Sequence, residues 1–153
     1  MLLLVLALVL CVGLLVWKSR ERRRLEGAGL GEVDEMGPEV FARFVGGTFA
    51  RLGFRVERAS DVLIVRRNDV AIAVRPSHGV ANSDCVQGAI TLRDRNGCDG
   101  AMAVSNQSFD KAARKLAKTS DVVLWERQEL AEALLVADKV APRGPMAVRA
   151  EVA

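Results

Sequence analysis

The sequence has no tyrosine, one histidine, four prolines and three cysteines, and each shortage closes off a class of protein. A lone histidine, His78, cannot build a histidine-based metal cluster, and no Ser/Asp constellation surrounds it to make it a catalytic base, so a loop histidine is the expectation. Cys11 lies in an apolar run, while Cys85 and Cys98 have twelve residues between them and no Cys or His at ligand spacing. A zinc site and a disulfide framework are both excluded, leaving reduced structural thiols. There is no internal repeat. Charge of one sign is also missing from most of the chain. Lys18, Arg20, Arg22, Arg23 and Arg24 face only Glu21 and Glu26, and beyond Glu26 the chain has 17 basic and 17 acidic side chains. The basic pI therefore reflects residues 18–26 and not a broad nucleic-acid-binding surface.

What is present begins with MLLLVLALVLCVGLLVW, residues 1–17, which contain no acidic or basic side chain. As a helix this run would extend about 25 Å, at the short end for a membrane span. Trp17 would sit among headgroups and the basic residues after it would stay inside. The competing reading, a cleaved signal peptide, fits poorly: no basic residue precedes the run and Val16-Trp17-Lys18-Ser19-Arg20 is a poor cleavage context. The expectation is a transmembrane helix over 1–17 at the inner membrane, N-terminus outside and domain cytoplasmic. A basic juxtamembrane segment and linker over 18–37 follows, its end (LEGAGLGEVDEMG) rich in glycine and acid.

From Pro38 the chain is patterned. Val40, Phe41, Phe44, Val45, Thr48, Phe49 and Leu52 mark one helical face, with Pro38 opening the helix and Gly53 closing it. Phe54 to Arg58 alternates as a strand. Two Val/Ile-rich runs around Asn68-Asp69, in SDVLIVRRNDVAIAVRPSH, then predict a tight hairpin. Both strands of that hairpin are apolar on both faces, so both faces must be covered. Asp84 to Arg95 predicts a helix with Val86, Ala89, Ile90 and Arg93 inward, stopped by Asn96-Gly97. Gly100 to Ser105 is a strand. Ser108 is placed to cap a helix carrying Phe109, Ala112, Ala113, Leu116 and Ala117. A strand over Asp121–Trp125 and a helix over Arg127–Val136 complete the domain, with a flexible tail over 137–153. The order is that of an α/β fold with a mixed β-sheet flanked by helices.

FARFVGGTFARLGFRVER (Phe41 to Arg58), the hairpin, Val86-Gln87, and GCDGAMAVSNQSFDKAARKLAKTSDVVLWERQEL (Gly97 to Leu130) together resemble the Mrr-type restriction endonuclease domain. The resemblance covers about residues 38–136 and rests on order and spacing, above all the Ala-x-x-x-Ser-Asn-x-x-Phe-x-x-x-Ala-x-x-x-Ala run. It implies a restriction-endonuclease-like fold. It also implies a metal site in which an Asp opening the second strand and a Gln or Glu two residues before a Lys on the third hold Mg²⁺. A Glu on the first helix often assists.

The chain departs from that pattern at each chemical position. Arg75-Pro76-Ser77 stands where Gln-x-Lys would be, Ala42 where the helix Glu would be, and the acid of the second strand aligns with Val62. Asp61 is next to Val62 and is the vestigial candidate, while the glycine-rich approach is shortened to Ala59-Ser60. A guanidinium offers donors only and stays protonated, so it repels a cation. The expectation is therefore a catalytically degenerate, membrane-anchored domain without a cofactor, binding DNA or a membrane-associated protein. Arg66, Arg67, Arg75 and His78 are its candidate nucleic-acid contacts, although the arginines also suit pairing with Asp69 or helix carboxylates. Asn106 and Gln107 read as turn and cap residues. Two alternatives stay open: a Mg²⁺-dependent endonuclease whose metal site has moved to Asp61, Asp69 or Asp84, and a scaffold that never meets nucleic acid.

Overall fold

The structure is a computed structural model and describes residues 29–59 and 62–140. Its elements are α1 (Leu30–Glu35), α2 (Pro38–Arg51), β1 (Arg55–Ala59), β2 (Val62–Arg67), β3 (Val70–Ser77), α3 (Ser83–Asn96), β4 (Gly100–Ser105), α4 (Lys111–Ser120), β5 (Val122–Trp125) and α5 (Arg127–Val140). The strands form one sheet in the order β1-β2-β3-β4-β5. The pairs β1–β2 and β2–β3 are antiparallel, and the pairs β3–β4 and β4–β5 are parallel. The hairpin predicted around Asn68-Asp69 lies at the centre of this arrangement, and Asn68 takes the left-handed conformation (φ 54) that a two-residue turn requires.

Side-chain alternation sorts the core into two layers. Leu63, Val65, Val74, Met102 and Val104 point to one side and pack with Phe41, Val45 and Phe49 of α2, Leu30 and Val33 of α1, and Leu130, Ala131 and Leu134 of α5. Ala101, Ala103 and Val122 point to the other, against Cys85, Val86 and Ala89 of α3 and Ala113 and Ala117 of α4. Phe49 anchors the first layer, stacked on Trp125 at 5.1 Å and edge-on to Phe54 at 5.5 Å. Both faces of the central strands are covered, as their composition demanded.

Several expectations need correction. Among the described residues no helix is long and apolar enough to cross a membrane, the longest being 14-residue helices with one buried side. Residues 1–17, on which the transmembrane helix rested, lie outside the described residues. The membrane span, the inner-membrane localisation and the membrane as partner are therefore withdrawn. The stretch read as linker contains α1, because Leu30 and Val33, 1% and 0% exposed, find partners in the core that local pattern cannot announce. Helix α4 is capped not by Ser108 but by Asp110, whose side chain accepts from the Ala113 N–H. Phe109 is buried ahead of that helix. Leu92, and not Arg93, completes the inner stripe of α3, and Val40 of α2 points outward. Helix α5 continues to Val140, into the stretch read as tail.

Candidate functional site

Strand β3 carries Arg75 and Ser77, which the resemblance sets at metal-site positions, and its alternation separates them from the large-residue layer. Val74 faces that layer, so Ala71, Ala73, Arg75 and Ser77 face α3. Arg75 lies along α3 at Gly88, where a Cβ would stand 3.4 Å from Nε and 3.6 Å from Cδ. Glycine at position 88 leaves room for that stem. The Cys85 thiol, one turn earlier on α3, donates weakly to the Arg75 carbonyl at 3.9 Å. Burial pushes this thiol up from its ordinary value, partly offset by a hydrogen bond from Ser77 and the charge of Arg75. Arg75, Ser77 and Cys85 thus meet at the C-terminal end of β3.

The other sequence candidates do not join them. Ala42 belongs to α2, which packs on the opposite layer. Asp61 lies outside the described residues. Asp69 occupies the hairpin turn before β3, and Asp84 the first turn of α3 beyond the other end of that strand. Eight extended residues put them about 25 Å apart, too far to share one cation. Among the described residues no group of three His, Cys, Asp or Glu side chains could hold a metal ion. Magnesium wants oxygen ligands, and Arg75, Ser77 and Ala42 offer it one neutral hydroxyl. The described side chains do not fit the cation.

The candidate phosphate contacts also divide. Arg66 stands opposite Arg55 in the β1–β2 ladder and pairs with Glu57, Nε to Oε1 3.1 Å, not with Asp69. Arg67 is exposed at the end of β2, its guanidinium 5.6 Å from the centre of the Phe54 ring. His78 sits edge-on to Phe41 at 5.7 Å, with Nε2 3.2 Å from the Val33 carbonyl. The same nitrogen lies 3.4 Å from the Asn106 amide nitrogen, so it donates to the carbonyl in one tautomer and accepts from the amide in the other.

His78 borders a polar network that sequence reading missed. Asn106, fully buried just after β4, accepts from the Gly79 N–H at 2.6 Å and donates through Nδ2 to Asp34 Oδ1 at 3.1 Å. Arg127, the first residue of α5, donates through Nη1 to the same Asp34 oxygen at 2.7 Å and to the Asn106 carbonyl at 3.2 Å. Beside it, Ser105 Oγ donates to the Gly79 carbonyl and accepts from the Gln107 N–H. The hydrogen bond from Arg127 holds the Asp34 carboxyl below its ordinary value; desolvation opposes this, while Asn106 and the charges of Arg127 and His78 add to it. These residues come from four distant parts of the chain. In sequence only His78 is singled out, as a loop residue and candidate contact, and Asn106 and Gln107, after β4, as turn and cap residues.

A mixed five-stranded sheet with helices on both sides is the architecture of a restriction-endonuclease-like domain. Residues 33–134 match the family model Mrr_cat, described as restriction endonuclease. The chain belongs to this Mrr-type restriction endonuclease family. It is similar to AF1548, whose crystal structure is described as that of a protein of unknown function, with 13% identity and TM-score 0.52 over 63% of this chain and 64% of that one. It is also similar to AspBHI, a DNA modification-dependent restriction endonuclease, with 16% identity and TM-score 0.56 over 80% of this chain and 36% of that one. The chain spans less than two thirds of either, and at these identities the likeness establishes the fold. No curated protein matches the chain.

Proposed function

We propose that this chain is a DNA-binding member of the family in which the metal-dependent cutting chemistry has been dismantled. The observation that carries the reading is Arg75 at the position of the family's Gln or Glu ligand, two residues before Ser77 in place of Lys. A fixed positive charge at that point opposes the cation that the reaction needs. Arg67, exposed at the end of β2, and Arg66, its side chain 42% exposed, are the better-placed phosphate contacts. Arg75 and His78 are engaged inside the domain and would contribute less.

The test is duplex binding by the full chain across a salt series, with unmodified and cytosine-methylated DNA, and cleavage assays with Mg²⁺ and Mn²⁺ in parallel. Methylated duplex is included because the similar AspBHI is modification-dependent by its description. The expected result is binding that weakens steeply with salt, since each phosphate contact releases counterions, without cleavage. Metal-dependent cleavage lost on Asp61→Ala would establish the relocated-site endonuclease instead. Absence of salt-dependent binding would favour the protein-interaction scaffold.

A further inference from the structure

The Asp34 network has a feature that a simple structural clasp does not need. Two donors from separate elements, the Arg127 guanidinium at 2.7 Å and the Asn106 amide at 3.1 Å, converge on one carboxylate oxygen. His78 lies alongside, its Nε2 3.4 Å from the Asn106 amide nitrogen. A guanidinium and an amide directed at a single anionic oxygen make the geometry that also receives a phosphate oxygen. The cradle is rigid where it must be: Asn106 is fully buried and fixed by the Gly79 N–H, and Arg127 is tied to the Asn106 carbonyl. The anion in it is accessible. The Arg127 and Asp34 side chains are 41% and 40% exposed. A rotation about the Asp34 side chain vacates the cradle without undocking Leu30 and Val33, which hold α1 on the core. The cradle opens where β3 and β4 end, and the ends of parallel strands are where ligands of α/β sheets collect.

We infer that Asp34 is a built-in competitor, and that the Arg127–Asn106 cradle it occupies takes a phosphate group of the DNA backbone when the carboxylate swings out. The inference deepens the DNA-binding reading and rests on it for the identity of the ligand. In the resting chain one cationic contact is masked by the protein's own carboxylate. Binding then exchanges an internal anion for an external one, and Asp34 lowers affinity for DNA without touching it.

Two probes test this with the full chain: a fluorescein-labelled duplex and inorganic phosphate. Asp34→Asn and Asp34→Ala are both prepared, because the alanine variant loses an acceptor as well as a charge and the asparagine variant keeps one. Each should bind duplex about tenfold more tightly near 0.1 M salt, with a salt slope steeper by about one, the effect of one added phosphate contact. Adding Arg127→Gln should cancel the gain. Independently of DNA, phosphate should raise the melting temperature of Asp34→Ala above that in chloride of equal ionic strength, and should not do so with Arg127→Gln present. Unchanged duplex affinity in a wild-type chain that does bind DNA would overturn the competitor role and leave the DNA-binding reading standing. No binding of duplex by any chain, with phosphate still stabilising Asp34→Ala, would overturn the DNA reading and keep the cradle. No preference for phosphate over chloride would overturn the cradle itself.

Discussion

The two faces of the sheet are built by opposite rules. On one, Phe41, Phe49, Leu130, Leu134, Val74 and Val104 fill the space with large side chains. On the other, Ala81, Ala89, Ala101, Ala103, Ala113 and Ala117 make the contacts, with Phe109 the one large ring among the buried residues of that layer. Small residues let α3 and α4 approach the strands closely, as close packing requires when little volume stands between the backbones. The consequence for β3 is direct. Its alanine side, Ala71 and Ala73, leads into Arg75 and Ser77, which must share a narrow layer with α3 and are given room by Gly88. Beyond its large side comes His78, which packs edge-on to Phe41 and borders a polar network. One strand thus serves a face of small residues and a face of large ones, and the residues at its end inherit the difference.

The comparison breaks most severely where volume is removed from the large face. Phe41 is fully buried and its ring edges against His78. Phe41→Ala should cost about 3–5 kcal/mol in chemical denaturation, since the transfer term and the residual cavity both count. A loss of less than about 1 kcal/mol would mean that this layer collapses around the gap and is not close-packed. On the opposite face the damaging change is addition. Ala103 is fully buried beside Arg75 in the β3–β4 ladder, and Ala103→Leu should cost about 1–3 kcal/mol through overpacking. A neutral result would show slack between α3 and the sheet, and Arg75 would then be less confined than its contact with Gly88 implies.

The same asymmetry explains what could be read from sequence. The large face announced itself, because Phe41, Phe44, Val45 and Phe49 recur at helical spacing and the hairpin strands are dense in Val and Ile. Arg75, Ser77 and Ala42 were singled out only by strand and helix order within the pattern of the family that the chain resembles. The linker reading failed at α1 because a six-residue helix has too few turns for a period, and only the core tells Leu30 and Val33 that they are buried. Asp34, His78, Asn106 and Arg127 were invisible as a group for a related reason. Nothing local joins them, and only the folded sheet brings residue 34 to residue 127.

The smallest expected effect lies in that network and sharpens the contrast between packed volume and surface charge. Asp34 is held below the ordinary value of 3.8 chiefly by its hydrogen bond with Arg127. A carboxyl depressed in the folded state stabilises it fully above its unfolded value and loses that contribution as the pH falls through the folded one. The wild-type chain should therefore weaken relative to Asp34→Asn as the pH falls below about 4. Because the Asp34 and Arg127 side chains are 40% and 41% exposed, water and salt screen the pair. The whole effect should stay within a few tenths to about 1 kcal/mol and shrink further in 0.5 M salt. Denaturation midpoints of both chains from pH 3 to 7 measure it. A pH-independent difference would mean that Asp34 holds α1 through its shape and hydrogen bonds alone, and a difference of several kcal/mol would mean that the network belongs to the core and not to its rim.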